Sequence, residues 1–369
     1  MKFLFADASH DGWGTEQHLV SLALGLLESG HEVAAIVQQG SPTERWLEST
    51  GITVIPVRFR TGVDVRFLAA ILPQISQQRP DWIIANQSKL YWPLALLGKV
   101  TGVRIALFRH LVRIKQRHTR VLLPKLVGRF YVASDFARNE LVCNGGSPSH
   151  IIRLYNPIDT QRFRANPSAR ATLRARLGVT DHNVLAGFVG RIEPAKGVST
   201  LREAVFNAMD VLPHLKMVWV GDGVAKEETM QLAAARGYMH RHSFVGWSAA
   251  PEEYYAGFDM LITPSIEAET FGRVVAEAQS CDVPVIASNI GGLPEAMVSD
   301  TTGVLVPPGD AVRLAQAIVR LSTDDALRHR FASAGRQFVV DNFSTRVVCK
   351  DFIDSLLKVM GSAAPAHKV

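Results

Sequence analysis

The chain of 369 residues is 47% hydrophobic and carries a formal net charge of +6. This length predicts two domains rather than one, and no run of about 18 uncharged apolar residues predicts a transmembrane helix. Cys143, Cys281 and Cys349 are few, odd in number and widely spaced. That pattern argues against a disulfide framework or a cysteine-rich metal site and favours a reduced, cytoplasmic protein.

The positive charge is concentrated in the first part of the chain. Residues 1–150 hold 17 Lys and Arg against 11 Asp and Glu, whereas residues 151–369 hold 23 of each. Nine basic residues and no acidic residue lie between Lys99 and Arg129. A surface with this bias is either an ordinary solvated face or a site for an anionic membrane or acidic acceptor. The basic stretch is a poor candidate for binding nucleic acid, because it lacks interleaved stacking aromatics and any known binding module.

The N-terminal segment predicts a strand, a glycine-containing loop and a helix. Lys2–Ala6 is a short apolar strand, and acidic residues follow it too soon for a signal peptide. Gly12 and Gly14 lie in the loop, although a lone Gly-x-Gly also serves merely to reverse a chain. Apolar residues then recur at helical spacing from Gln17 to Ser29, and the next strand runs from Glu32 to Val37.

The following segments continue this alternation. Strands are predicted at 52–57, 82–85, 103–108 and 128–134, and helices at 65–78, 90–99 and 135–143. His110 falls just after a strand end, where a histidine is either structural or catalytic. Pro157 restrains Asn156, and we expect the first domain to end near Asp159.

The second half repeats the pattern. Strands are predicted at 184–189, 215–220, 243–247 (an edge strand), 259–263 and 303–306, and helices at 169–177, 251–257, 310–321, 323–340 and 344–360. Arg191 and Lys196 lie in the turn after the first of these strands. Alternation from end to end predicts an α/β protein with two parallel sheets covered by helices on both faces.

Candidate ligand-binding residues are most concentrated in residues 263–295, TPSIEAETFGRVVAEAQSCDVPVIASNIGGLPE. Both glycine-containing turns of this stretch follow strands, and ligands bind at the carboxyl edge of open parallel sheets. Gly272 would let helix N–H groups approach an anion closely. Glu277 lies on an apolar helix and needs a partner, which the vicinal hydroxyls of a sugar would supply. The alternative is that Glu269 caps the helix and Glu277 pairs with an arginine.

This stretch resembles the signature of retaining nucleotide-sugar glycosyltransferases of family four (glycosyl transferases group 1). The spacing of Glu269 and Glu277, the Phe-Gly between them and the following GG-x-PE all match, and so does the Gly190–Gly197 turn. Asp282 departs from the pattern, since a Gly is usual there. The resemblance implies the GT-B fold, in which two Rossmann-like parallel-sheet domains face each other across a deep cleft.

The resemblance also implies roles for residues that bind the donor. Glu277 would hold the donor ribose, and Glu269 would lie beside the transferred sugar. The diphosphate would be held without a metal by Arg191 and Lys196, whose charge offsets that of the leaving group. The remaining donor contacts would come from Phe271, Gly272, Arg273 and Val245, the last bordering the base.

In the first domain, Gly12 and Gly14 would line the cleft opposite the donor phosphates. His110 would help to position the donor sugar, although it is not followed by the Asp that the family often has. The implied division is an acceptor-binding domain, 1–159, completed by the helix 344–360, and a donor-binding domain, 160–343. Residues 361–369 are expected to form a flexible tail.

The implied function is transfer of a sugar from a nucleotide-sugar donor to a hydroxyl of a glycan or lipid-linked glycan, in the synthesis of cell-envelope polysaccharide or lipopolysaccharide. No cofactor is expected; UDP-sugars are favoured, with GDP- and ADP-sugars as alternatives. The protein would work in the cytoplasm, with an anionic membrane surface as a candidate partner. Two other functions stay open: a nucleotide-sugar 2-epimerase of the same fold, and a non-catalytic scaffold that binds sugar nucleotides.

Overall fold

The computed structural model describes residues 1–12, 14–59, 65–111, 114 and 116–362. It divides into two compact units. Unit 1 comprises Met1–Pro157 and the C-terminal segment from Thr345, and unit 2 comprises Ile158–Ser344. The chain therefore leaves unit 1 two residues before Asp159, and it returns after Ser344.

Unit 1 is built on a seven-stranded sheet in the order β3-β2-β1-β4-β5-β6-β7. All of its paired strands are parallel. The strands are β1 (Lys2–Asp7), β2 (Glu32–Gln38), β3 (Thr53–Val57), β4 (Trp82–Ala85), β5 (Arg104–Arg109), β6 (Arg129–Val132) and β7 (Ile151–Arg153).

The helices of the first 157 residues cover both faces of this sheet. They are α1 (Gly14–Glu28), α2 (Pro42–Leu47), α3 (Val65–Gln78), α4 (Ser88–Thr101), α5 (Arg117–Leu126) and α6 (Asp135–Cys143). Along β1, Phe3 and Phe5 enter one apolar cluster while Leu4 and Ala6 enter the other. Side chains alternate across a strand, so a run of apolar residues fits a sheet that is buried on both sides.

Unit 2 contains a six-stranded parallel sheet in the order β10-β9-β8-β11-β12-β13. Its strands are β8 (Val184–Val189), β9 (Leu215–Val220), β10 (His242–Gly246), β11 (Met260–Thr263), β12 (Val285–Ser288) and β13 (Gly303–Val306). Its α-helices are α7 (Pro167–Arg176), α8 (Val198–Val211), α9 (Lys226–Ala235), α10 (Pro251–Tyr255), α11 (Arg273–Ser280), α12 (Ala311–Thr323) and α13 (Asp325–Phe343). The predicted fold of two helix-covered parallel sheets is confirmed, and β10 lies at a sheet edge.

The last helix, α14 (Thr345–Ser362), belongs to unit 1. Phe352 and Leu356 enter the same apolar cluster as Phe3 and Phe5. Gly25 permits this packing, since a Cβ there would overlap the side chains of Thr345 and Cys349. The helix continues two residues into the predicted tail, 361–369, and the rest of that tail lies outside the described residues.

Two details of the predicted elements need correction. Helix α1 begins at Gly14 rather than Gln17, which brings Glu16 into the first turn, where a negative charge is favourable. Helices α2, α5 and α9 were not predicted, although the start signal of α2 is present in the sequence. Ser41 caps it by accepting from the Glu44 N–H, and Pro42 occupies the first turn, as proline can without losing a hydrogen bond.

Candidate functional site in unit 2

The loops after β8, β11 and β12 meet at the carboxyl edge of the unit 2 sheet. Gly197 makes the first contact possible: its φ is +70°, and a Cβ would overlap the carbonyl oxygen of Pro264. The N–H groups of Ile266 and Glu267 both donate to the Ala195 carbonyl, at 3.1 and 3.2 Å. The turn containing Lys196 is therefore bonded through its backbone to the loop containing Glu269.

The loop after β12 is held against the same segment. The Gly292 N–H donates to the Glu269 carbonyl at 2.8 Å, and a Cβ on Gly291 would lie 2.6 Å from that oxygen. Only glycine fits so close to another backbone. The glycine pair that the sequence singled out thus sets the position of Glu269.

Lys196 and Glu269 form an ion pair between two of these loops. Lys196 Nζ lies 2.9 Å from Glu269 Oε2, and the two side chains are 25% and 18% exposed. Ser265 Oγ donates to the other oxygen, Oε1. The pair presents an ammonium donor beside a carboxylate acceptor, a combination suited to a phosphorylated polyhydroxy ligand.

Two helices begin beside this pair without a side-chain cap. Gly197 occupies the N-cap of α8 and Gly272 the N-cap of α11, both with positive φ. The first N–H groups of a helix have no partner within the helix, and the helix dipole adds partial positive charge there. Both starts follow strands and so lie at the carboxyl edge, where they suit an anion such as a diphosphate.

Glu277 is nearly buried, at 4% side-chain exposure, and both of its oxygens have donors. Arg273 Nε lies 2.6 Å from Oε1, and the Tyr255 hydroxyl donates to Oε2 at 3.1 Å. Burial, followed by the nearby Glu277 charge, raises the pKa of Tyr255 well above its usual value. Glu277 therefore does pair with an arginine, the alternative that the sequence left open. Glu269 does not cap α11, because Gly272 occupies that position.

The other donor-site candidates of unit 2 have contacts separate from the Lys196–Glu269 pair. Arg191 is 56% exposed and pairs with Glu193 at 2.9 Å within its own turn. Phe271 is buried and packs edge-on against Phe343, with ring centroids 5.0 Å apart, so its ring is not exposed to a ligand. Val245 lies at a register shift in β10, between Phe244 and Gly246.

The remaining candidates lie in unit 1, at the carboxyl edge of its own sheet. Gly12 precedes α1, and Gly14 is its first residue. His110 follows β5, and its ring centroid is 4.6 Å from that of His18. His18 Nδ1 lies 2.9 Å from Asn156 Oδ1, so the asparagine identified at the domain exit holds the neighbour of His110.

Two further features occupy this edge of unit 1. Burial is the main cause that raises the pKa of Asp7 to about 6, opposed by the Thr43 hydroxyl, which donates to Asp7 at 2.6 Å. A cavity of about 490 Å³ is lined by Gln38, Gln39, Arg58, Phe59 and Arg66. It lies at the ends of β2 and β3 and offers guanidinium groups to an anionic ligand.

Within the described ranges, no group of three or more His, Cys, Asp or Glu is arranged to hold a metal ion. In the same part of the chain, no helix combines the length and apolar character needed to cross a membrane.

Sequence reasoning missed the supporting residues Tyr255, Ser265 and His18. Ser265 lies four residues before Glu269 in the same loop, whereas Tyr255 and His18 contact predicted residues through the tertiary structure. Tyr255 is 22 residues from Glu277, and His18 is 138 residues from Asn156. Nothing in the local sequence pattern indicated these contacts.

Two Rossmann-like units with parallel sheets define the GT-B class of fold. Two family models match the chain in tandem: Glycosyltransferase Family 4 over residues 13–162 and Glycosyl transferases group 1 over residues 169–338. Together they span most of the chain, in the order of unit 1 and unit 2. The chain belongs to the glycosyltransferases that these two models describe, family 4 and group 1, which are transferase enzymes.

Solved structures share the fold over nearly the whole chain. Anabaena HepE, in complex with UDP and glucose, aligns with a TM-score of 0.82 and 24% identity, covering 97% of this chain and 100% of that one. A glycosyltransferase from Rickettsia africae aligns with a TM-score of 0.85 and 20% identity, covering 98% and 100%. At these identities the likeness establishes the fold.

Curated relatives are similar over part of their length. A D-inositol 3-phosphate glycosyltransferase of Streptomyces bingchenggensis is 35% identical over 217 residues, covering 56% of this chain and 47% of the relative. A GDP-mannose-dependent alpha-(1-6)-phosphatidylinositol monomannoside mannosyltransferase of Mycolicibacterium smegmatis is 28% identical over 221 residues, 58% of each. The chain thus spans about half the length of the curated relatives it matches.

Proposed function

We propose that this protein transfers a sugar from a nucleoside diphosphate sugar to an acceptor hydroxyl, with retention of the anomeric configuration. The observation that carries the proposal is the Lys196–Glu269 pair, 2.9 Å apart, between two helix starts that have no side-chain cap. The diphosphate would lie against Lys196 and these N–H groups, and the sugar hydroxyls against Glu269.

The reaction breaks the glycosyl–phosphate bond and forms a bond between the anomeric carbon and the acceptor oxygen. The nucleoside diphosphate leaves with an additional negative charge, which Lys196 and Arg191 would stabilise. In a front-face displacement, the acceptor proton passes to the departing phosphate oxygen. No side chain then has to act as the base, and the acceptor attacks from the side that the phosphate leaves.

The donor base and the acceptor are argued from chemistry and from likeness. HepE was solved with UDP, whereas the mycobacterial relative is named for GDP-mannose, so uridine and guanosine donors are both candidates. Relatives are named for acceptors that contain inositol and phosphate. The cavity with Arg58 and Arg66 in unit 1 would suit a phosphorylated acceptor. A role in building cell-envelope glycans, including lipopolysaccharide, fits such an acceptor.

A transfer assay tests the proposal. UDP-, GDP- and ADP-sugars are each incubated with inositol phosphates, phosphatidylinositol and lipid-linked glycans, and the products are identified by mass spectrometry and NMR. We expect acceptor-dependent release of nucleoside diphosphate and a product with the donor's anomeric configuration. Lys196→Ala and Glu269→Ala should each lower turnover by roughly 100-fold or more, because each removes charge stabilisation at the reacting bond.

Lys216→Ala and Glu267→Ala are the matched controls. Lys216 lies near the amino end of β9, and Glu267 is an exposed residue of the same loop as Glu269. Full activity in both active-site variants would refute the site. An isomerised donor without acceptor would favour the epimerase, and tight donor binding without turnover would favour the scaffold. The two relatives and the Rickettsia africae structure described above are named as glycosyltransferases or a mannosyltransferase, which favours transfer.

We also propose that unit 1 works at an anionic membrane surface. Helices α4 and α5 pack together, and Trp92 Nε1 donates to Thr119 Oγ1 at 3.0 Å. We infer that exposed residues of these helices and of the segment between β5 and α5 form one face, which we call the basic–apolar face and which combines leucine and valine with lysine and arginine. It comprises Leu96, Lys99, Val100, Leu111, Arg117, Leu122 and Lys125.

Val100 is 85% exposed, and exposed apolar side chains among positive charges are typical of interfacial helices. Each basic residue near an anionic bilayer contributes roughly 1 kcal/mol. We expect co-sedimentation with vesicles containing phosphatidylglycerol at low salt, release at high salt, and little binding to phosphatidylcholine alone. Equal binding to both kinds of vesicle would refute the proposal.

Two pairs of substitutions localise the surface. Lys99→Glu with Lys125→Glu should abolish binding to the anionic vesicles. Arg313→Glu with Arg320→Glu changes the charge equally in unit 2, at exposed positions, and should leave binding in place.

A further inference from the structure

Glu277 is placed by two donors before any ligand arrives. Arg273 Nε lies 2.6 Å from one oxygen, and the Tyr255 hydroxyl lies 3.1 Å from the other. The arginine is one helical turn before the glutamate on α11, whereas the tyrosine comes from α10. With one donor from its own helix and one from a neighbour, the carboxylate is restrained in both its rotation and its tilt.

The tyrosine is itself rigidly held. Its ring is fully buried and packs against Phe163 and Phe258, with centroid distances of 6.1 and 6.3 Å. Burial also raises its pKa, so the hydroxyl keeps its proton and acts as a donor. A buried phenol needs such a partner, and among the described residues this one has the carboxylate of Glu277.

Each carboxylate oxygen has two acceptor positions. Among the described residues, each oxygen has a single protein donor, which leaves one further position on each, side by side on the same group. Two hydroxyls on adjacent carbons match that spacing, because they can donate to the two oxygens together. A fixed carboxylate binds such a pair better than a mobile one, since less conformational freedom is lost on binding.

We propose that Tyr255 is a positioning residue that, with Arg273, aligns Glu277 for the two ribose hydroxyls that the family resemblance assigns to this glutamate, and so strengthens the preference for ribonucleotides over deoxyribonucleotides. The inference rests on the proposed function, in which a nucleoside diphosphate binds beside Lys196. It adds a positioning residue that the family resemblance did not supply.

The test compares the binding of UDP with that of 2′-deoxy-UDP, and of GDP with that of 2′-deoxy-GDP, by titration calorimetry. In the wild-type protein we expect the ribonucleotide to bind roughly tenfold more tightly, the effect of one hydrogen bond to a charged group. Tyr255→Phe should reduce that ratio several-fold while leaving the affinity for the deoxynucleotide nearly unchanged. Tyr254→Phe makes the same chemical change at the preceding residue and should preserve the ratio.

A double-mutant cycle separates positioning from general damage. In a Glu277→Gln background, Tyr255→Phe should cause no further change in the ratio, because the tyrosine acts through the carboxylate. If Tyr255→Phe does not fold, Arg273→Lys serves instead, since it replaces the short Nε contact and should reduce the same ratio.

The possible outcomes are distinct. A wild-type ratio near one, an unchanged ratio in Tyr255→Phe, or equal loss of both nucleotides in that variant would overturn the inference while the proposed function stands. Failure of the wild-type protein to bind either UDP or GDP would overturn the proposed function together with the inference.

Discussion

Lys196 and Glu269 neutralise each other across two loops, and a donor would have to share or replace that interaction. Both side chains keep some exposure, so water screens their attraction. Replacing the ion pair by contacts with the donor therefore costs little free energy. A diphosphate offers Lys196 more negative charge than one carboxylate does. Glu269 would then be free to accept from the sugar hydroxyls, with Ser265 still donating to it.

Asp7 provides a prediction at the residue scale that is independent of ligand. Its pKa is raised from 3.8 to about 6 in the folded protein, chiefly by burial. The folded state therefore binds this proton more tightly than the unfolded state does. Protonation of Asp7 stabilises the folded state fully below pH 3.8, and this stabilisation is lost as the pH rises through 6. Above that range the ionised group costs on the order of 3 kcal/mol.

Asp7→Asn removes this titration. We expect the free energy of unfolding of the variant, relative to wild type, to increase by roughly 1 kcal/mol between pH 5 and pH 7.5, as measured by urea denaturation. Asp11→Asn, at an exposed position of the same loop, is the control. A difference between Asp7→Asn and wild type that does not vary with pH would contradict the assignment.

At the scale of the element, most strands and helices follow from local pattern. Apolar runs that fit a sheet buried on both faces predicted the strands, and the helices between them followed from periodicity and connection length. Helix α2 shows that a local signal can be present and overlooked. The start of α1 at Gly14 is different, because glycine is a weak helix former and the first turn depends on its surroundings.

The glycine turns of unit 2 yield a prediction at this scale. Gly197→Ala would place a methyl group against the Pro264 carbonyl in a backbone of φ +70°. The loop containing Lys196 must then move away from the loop containing Glu269. We expect lower stability, by more than about 1 kcal/mol, together with several-fold weaker binding of UDP or GDP.

Gly178→Ala is the matched control for that experiment. Gly178 has φ +60°, and apart from its chain neighbours no atom of the described residues lies within 4 Å of the position that a Cβ would take, so the substitution carries the backbone cost alone. We expect a loss of about 1 kcal/mol and unchanged nucleotide binding. Equal effects of the two substitutions in urea unfolding and calorimetry would show that the close approach of the loops is unimportant.

At the scale of the whole molecule, the chain crosses between its two units twice. It leaves unit 1 after Pro157 and returns after Ser344, and α14 then packs its apolar residues beside β1. The excess positive charge stays in the first part of the chain. The structure shows that Lys99, Arg117 and Lys125 are exposed alongside apolar residues, which the sequence alone did not indicate.

Local sequence was sufficient to predict the alternation of strands and helices and the two parallel sheets. It was also sufficient to single out the stretch containing Glu269, Gly272 and Glu277 as a candidate site. Those features depend on side-chain periodicity and on glycine at defined positions, which can be read from neighbouring residues. The tertiary structure alone decided that Lys196 pairs with Glu269 and that Tyr255 holds Glu277. Such contacts join segments distant along the chain, and their geometry depends on how parallel strands bring separate loops to one sheet edge.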